Sequence, residues 1–126
     1  MIAIGIGCRR GASQEAITTL IEQALAPIQN AGEPALLFTI ETKRGEKGLI
    51  AAARALSLPL EFLELSALRA VEDQIATPSP AAQAALGVAS VSEAAALAGA
   101  GQGARLIAPR LVGDGVTLAV ARGGGR

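Results

Sequence analysis

"IAIGIGCRRGASQEAITTLIEQALAPI", residues 2–28, decides how the rest of the chain reads. Residues 2–7, IAIGIG, are short, apolar, rich in β-branched isoleucine and end on glycine, the composition of a buried strand. From Ser13 the period changes. Ile17, Leu20, Ile21, Ala24, Leu25 and Ile28 recur at helical spacing, which predicts an amphipathic helix. Ser13 is a favourable N-cap, and Glu15 complements the positive end of the helix in its first turn. Pro27 and NAGEP (30–34) stop it. A strand passing through a glycine-rich, basic turn into a helix opens a parallel α/β unit. The question it raises is whether the turn GIGCRRGAS (5–13) holds an anion.

The same alternation continues downstream. ALLFTI (35–40) is a second buried strand, followed by the polar, basic loop TKRGEKG (42–48). LIAAARAL (49–56) reads as a short amphipathic helix with Arg54 on its outer side. LEFLEL (60–65) starts in strand alternation and slips at Leu63. SALRAVED (66–73) predicts one or two helical turns capped by Ser66. The prolines of TPSP (77–80) push their preceding residues out of helical geometry, and AAQAAL (81–86) restarts a helix behind Pro80. Ser90 and Glu93 have capping-box spacing, so a further helix runs to about Ala98. ARLIAPRLV (104–112) and VTLAVA (116–121) flank GDG (113–115), a hairpin signal. RGGGR closes the chain, and its residues 123–126 are expected to be a disordered tail. The order predicts a single domain over 1–122. Its fold class is α/β: a three-layer α/β/α arrangement around a mixed, mostly parallel sheet of about five strands that ends in a β-hairpin.

Composition narrows the function classes. A chain of 126 residues suits one domain. Its residues are 51% hydrophobic but only 2% aromatic, so the core is built of Ala, Leu, Ile and Val. The abundant alanine and the 15 glycines read as compositional bias with limited functional content. The 11 basic and 11 acidic side chains cancel, which leaves no global field for nucleic acid. With two Phe and no Trp or Tyr, base-stacking platforms are nearly excluded. No apolar run approaches the roughly 20 residues of a membrane span. No basic segment precedes the first apolar run as in a secretory signal. The single cysteine suits a reducing compartment. The expectation is a cytoplasmic protein with neither nucleic-acid nor membrane partners. Histidine is absent. This excludes Ser-His-Asp and Cys-His catalysis, ordinary zinc sites, and an imidazole ligand for haem or a corrin cobalt. No metal site and no cofactor are expected.

Ligands of parallel α/β sheets bind at the carboxyl ends of the strands, and two basic loops fall there. Gly7, Cys8, Arg9, Arg10 and Ser13 follow the first strand; Thr42, Lys43 and Arg44, with Lys47, follow the second. Guanidinium groups beside helix-end N–H groups suit carboxylate or phosphate. The glycine spacing, G-x-G-x-x-x-G over Gly5, Gly7 and Gly11, is neither the dinucleotide fingerprint nor a P-loop. A nucleotide-binding domain is therefore the weaker reading. Cys8 reads as a small buried residue; its position near a helix N-terminus and two arginines also offers a lowered thiol pKa. Thr77 and Ser79 offer hydroxyls. Glu41 and Glu46 are the acid/base candidates, with charge balance against Lys43 and Lys47 as their simpler role. Asp114 reads as a turn residue.

GIGCRRGAS, T.ETKRGEKGL, TPSP, GVASVSEAAAL and LIAPR…GVTLAVAR occur in this order across nearly the whole chain. Together they resemble the CobE family, which is also the C-terminal domain of the CbiG proteins. The resemblance implies cobalamin biosynthesis, in the steps that build the corrin ring. CbiG proteins are described as cobalt-precorrin-5A hydrolases, which open a lactone on the macrocycle and release acetaldehyde. The chain has the length of their C-terminal domain alone and is closer to stand-alone CobE. The implied ligand is a corrin-ring intermediate edged with carboxylates, and the implied partners are other enzymes of the pathway. Arg9, Arg10, Lys43 and Arg44 would grip the ring periphery. The alternative is a hydrolase acting on a precorrin-5A-type lactone, with Glu41 or Glu46 as its base.

Overall fold

The structure, a computed structural model, describes residues 1–28, 32–75 and 90–125. Strand β1 (Ile2–Cys8) leads through the basic turn into α1 (Gln14–Leu25). Then follow β2 (Ala35–Ile40), a 3-10 turn (Glu41–Lys43), α2 (Lys47–Ala55), β3 (Leu60–Leu63), α3 (Leu65–Arg69) and a second 3-10 turn (Glu72–Gln74). Helix α4 (Val91–Ala100) and the strands β4 (Arg105–Gly113) and β5 (Val116–Arg122) complete the described residues. The five strands lie in the order β3-β2-β1-β5-β4. β1 pairs parallel with β2, and β2 with β3. β5 runs antiparallel to β1, and β4 antiparallel to β5. Only β5 opposes the common direction, so the sheet is mixed and mostly parallel as the sequence predicts. Thr77, Ser79 and the helix expected over 81–86 lie outside the described residues. Among the described residues, no helix is long and apolar enough to cross a membrane.

From β1 to β3 the order steps one way, so both right-handed crossovers place their helices on one face. β1 shows the consequence by alternation. Ile2, Ile4, Ile6 and Cys8 face α1 and α2, where they pack with Ile17, Leu20, Ile21, Leu37, Leu49, Leu118 and Val120. Each fully buried Ile or Leu there contributes about 1.5–3 kcal/mol. Ala3 faces α4 instead, with Ala119, Ala121 and the alanines Ala94, Ala95, Ala96 and Ala100. Small residues on both sides let the helix lie almost on the strand. A Cβ on Gly5 would fall on the Ser92 carbonyl oxygen and 2.5 Å from the Ala96 amide nitrogen. The Phe38 ring fills the notch left by Gly99 on α4. The alanine and glycine content is therefore not background composition: on this face it sets how closely helix and sheet approach.

Local signals fix most element ends. Ser13 caps α1, its hydroxyl accepting from Ala16 N at 3.1 Å. Ser90 caps α4, accepting from Glu93 N at 3.4 Å. In the β4–β5 turn only Gly115 takes a positive φ, 73°. Other ends differ from expectation. α3 starts two residues early: Glu64, not Ser66, holds its cap position, with no side-chain cap bond. α2 starts at Lys47, with Glu46 as its cap residue, because the polar loop is already turning helically. The expected tail is packed over Gly123–Gly125. Gly123 N donates to Met1 O, Gly124 N to Gln102 O and Gly125 N to Ala100 O, at 3.2, 2.8 and 2.8 Å. Glycine is needed here because a Cβ on Gly123 would meet the Ala100 carbonyl oxygen at 2.5 Å.

Candidate functional site

β1, β2 and β3 all end at one edge of the sheet, where α1 and α2 begin. α4 begins there too: a Cβ on Gly7 would lie 3.6 Å from Val91 Cβ and 3.8 Å from Ser92 N. The last carbonyls of β1 outrun the β2 ladder, which ends at the Gly5–Phe38 pair. Two threonines take them. Thr39 Oγ1 donates to Ile6 O at 2.7 Å, fully buried, and Thr117 Oγ1 donates to Gly7 O at 3.3 Å. The edge is thus fixed in position before any charged side chain is considered.

One hydrogen bond joins the two basic loops. The backbone N–H of Gly11 donates to Glu46 Oε1 at 2.8 Å. Gly11 has φ of 77°, with open space where a side chain would stand. Behind it, Gly48 in the first turn of α2 lies against Ala12 and Gln14. Loops separated by more than thirty residues therefore form one surface, and Glu46, a possible base on sequence grounds, holds them together.

The cations are spread along this surface. Arg9 reaches the hairpin: its N–H donates to Gly115 O at 2.9 Å, and its guanidinium stands 3.5 Å from Asp114 Oδ1. Both side chains are well exposed, so that pair adds little stability. Arg44 goes the other way, its guanidinium carbon 4.9 Å from the centre of the Phe62 ring on β3. Arg10 and Thr42 are exposed between these ends, and Lys43 is half-buried near Cys8. Asp114 at one end and Phe62 at the other carry no signal in the sequence as site residues. Ser13 is committed to capping α1 and Gly7 to packing under α4 and Thr117. Glu41 opens the 3-10 turn, half-buried.

Cys8 corrects an expectation. A lowered thiol pKa was one reading of its position beside two arginines. Burial instead pushes the thiol above its ordinary value; Lys43 pulls it down, Glu46 pushes it up, and burial prevails. The side chain packs into the α1–α2 core. The thiol stays protonated at neutral pH. We expect alkylation by iodoacetamide at pH 8 to be at least about tenfold slower than for an unfolded control. Mass spectrometry over a time course checks this; equal rates would place Cys8 at the surface.

The glycine pattern is also accounted for. Gly5 serves the α4 contact, Gly7 the close approach of the Thr117 hydroxyl on β5, and only Gly11 the turn, so the motif is not a phosphate-binding loop. Among the described residues, no three His, Cys, Asp or Glu side chains converge as metal ligands.

Comparison with known proteins gives a consistent answer. The family model "Cobalamin synthesis G C-terminus" matches residues 2–121. Protein CobE from Sinorhizobium sp is 34% identical over 121 residues, 95% of this chain and 79% of that protein. A cobalt-precorrin-5A hydrolase from Priestia megaterium is 33% identical over 96% of this chain, which spans only 32% of the hydrolase. The crystal structure of CobE, a protein from the cobalamin (vitamin B12) biosynthetic pathway, superimposes with a TM-score of 0.89 at 36% identity, covering 100% of this chain and 92% of that one. Cobalamin biosynthesis protein chiG from Agrobacterium tumefaciens superimposes with a TM-score of 0.72 at 38% identity, covering 98% and 99%. By sequence over nearly its full length and by fold, the chain is a member of the CbiG C-terminal family of cobalamin biosynthesis, to which CobE belongs.

Proposed function

We propose that this chain binds a carboxylate-rich tetrapyrrole intermediate of cobalamin biosynthesis at the carboxyl edge of its sheet and holds it for the next enzyme. The observation that carries the reading is the Gly11–Glu46 bond, which fixes both basic loops as one surface. From Arg9 beside β5 to Arg44 beside β3, that surface crosses three strand spacings, about 14 Å. A row of cations of this width matches the periphery of a macrocycle edged with acetate and propionate arms. Arg10 and Lys43, which have no ion-pair partner among the described residues, are the first contacts. Arg9 would exchange its loose pairing with Asp114 for a ligand carboxylate.

The hydrolase reading rests on Glu41 or Glu46 as a general base. Glu46 Oε1 already accepts the Gly11 N–H, and the chain spans about a third of the hydrolase relative. Binding without bond cleavage is the better-supported role. Incubation with the lactone substrate followed by mass spectrometry separates the two, since hydrolysis changes the mass and binding does not.

The test of binding is a visible-absorption titration with cobyrinic acid, a corrinoid whose arms end in free carboxylates. The wild-type protein should give a saturable spectral change that weakens with added salt. Arg10→Ala and Lys43→Ala should each raise Kd about tenfold, the loss expected for one charge-assisted hydrogen bond. A corrinoid with fully amidated arms should bind far more weakly. Equal Kd values for wild type and both variants would overturn the assignment.

A further inference from the structure

Outside the basic edge, a shallow groove of about 520 Å³ lies between α2 and the edge strand β3. Ile50, Leu58, Leu60 and Phe62 make it apolar, and Arg54 from α2 stands on its wall. Three observations connect it with the basic edge. Phe62 lines the groove and carries Arg44 over its ring, so the groove meets the cationic row at Arg44. Of the two phenylalanines, Phe38 is sealed in the core at 1% exposed, whereas Phe62 is half-exposed. Arg54 is exposed in the last turn of α2, one end of an apolar floor whose other end is Arg44.

From this arrangement we infer that the groove is the seat of the macrocycle's apolar flank. One edge of the ring lies along Ile50, Leu60 and Phe62, with peripheral carboxylates taken by Arg44 and Arg54. The chemistry selects this occupant. An apolar floor bracketed by two guanidinium groups complements a body that is hydrophobic on its face and anionic around its rim. A purely apolar ligand would leave the arginines unused, and a small anion would leave the floor unused. Arg44 is preorganised by the Phe62 ring and needs little further ordering to meet a carboxylate. This inference rests on the tetrapyrrole-binding reading and adds to it the face on which the ring sits.

The experiment repeats the cobyrinic acid titration with variants of the groove. Arg54→Glu should raise Kd at least about tenfold, since an attraction becomes a repulsion. Arg54 is exposed on a helix, so the fold should persist, which far-UV circular dichroism checks. Phe62→Ala should weaken binding, whereas Phe62→Trp should retain it. Arg69→Glu, the same charge change on α3, which packs on the opposite face with α4, should bind as wild type does. If Arg10→Ala weakens binding while Arg54→Glu and Phe62→Ala leave it unchanged, the ring is held at the edge alone and the groove assignment is overturned. If the wild type shows no spectral change, the tetrapyrrole reading fails and takes the groove with it. If sedimentation shows a dimer that Arg54→Glu dissociates without altering Kd, the groove is a contact between copies of the chain, and the inference is again overturned.

Discussion

Replacing Gly5 by alanine is expected to unfold the domain or to cost more than about 3 kcal/mol, the upper end of overpacking effects. For a domain of this size that lowers the melting temperature by more than about 10 °C. The methyl group would fall on the Ser92 carbonyl oxygen, and 2.5 Å from the Ala96 amide nitrogen. Both are backbone atoms of a helix, so no rotamer change relieves the clash. Either α4 lifts from the sheet or β1 bends. Lifting α4 would open the packing of Ala3, Ala119 and Ala121 on Ala94, Ala95, Ala96 and Ala100, which depends on close approach. Gly11→Ala is the control. It meets nothing within 4 Å but must keep a φ of 77°, a strain of about 1–2 kcal/mol. Thermal melts followed by circular dichroism should therefore rank wild type above Gly11→Ala and both well above Gly5→Ala. A Gly5→Ala protein melting with wild type would mean that α4 does not lie on β1 as described.

That contrast shows what the sequence could and could not convey. β1, β2, β4 and β5 were legible because each is an apolar run with β-branched residues, and β3 (LEFL), which has none, by its partial alternation. The helices α1 and α4 were legible because serine caps precede helical periodicity. Local chemistry decided those features, and tertiary context did not override it. The roles of individual glycines were not legible. Gly5, Gly7 and Gly11 stand in one motif, yet one answers to a helix some ninety residues away, one to the Thr117 hydroxyl on β5 and one to a local turn. Nothing in the spacing separates them. The two basic loops could be placed at one sheet edge from topology, since parallel strands must end together. The bond that joins them could not be read. Glu46 looked like a counter-charge to Lys47, and only the fold brings it to the Gly11 N–H. Arg44 and Phe62 are likewise eighteen positions apart, and their stacking depends on the β2–β3 register pairing Thr39 with Phe62. The packed Gly123–Gly125 segment was missed for a similar reason: glycines and terminal position suggest disorder, but here they let the backbone pass close to Ala100.

Gly48→Ala should couple that hidden geometry to function. Gly48 occupies the first turn of α2, where an added Cβ would fall on the Ala12 carbonyl oxygen and lie 3.1 Å from Gln14 N. The segment it would strike is the turn that ends the first basic loop. To make room, the start of α2 must move away from α1. Glu46, the cap residue of α2, moves with it and loses the Gly11 N–H. Lys43 and Arg44 precede Glu46 by only a few residues, so the cationic row splits between its two loops. The expected stability loss is about 2–3 kcal/mol. In the fraction that remains folded at low temperature, Kd for cobyrinic acid should rise more than about tenfold, because a ligand spanning both loops would have to draw them together first. Two further variants separate the causes. Gly45→Ala adds a methyl in the same loop where nothing lies within 4 Å, and should match wild type in stability and affinity. Glu46→Ala removes the hydrogen bond but leaves the helix contact, so it should lose affinity while costing less stability than Gly48→Ala. Affinity that follows the order wild type, Gly45→Ala, Glu46→Ala, Gly48→Ala would tie binding to the union of the two loops. A Gly48→Ala protein that is destabilised yet binds with wild-type Kd would show that the loops act independently, and the ligand would then contact only one of them.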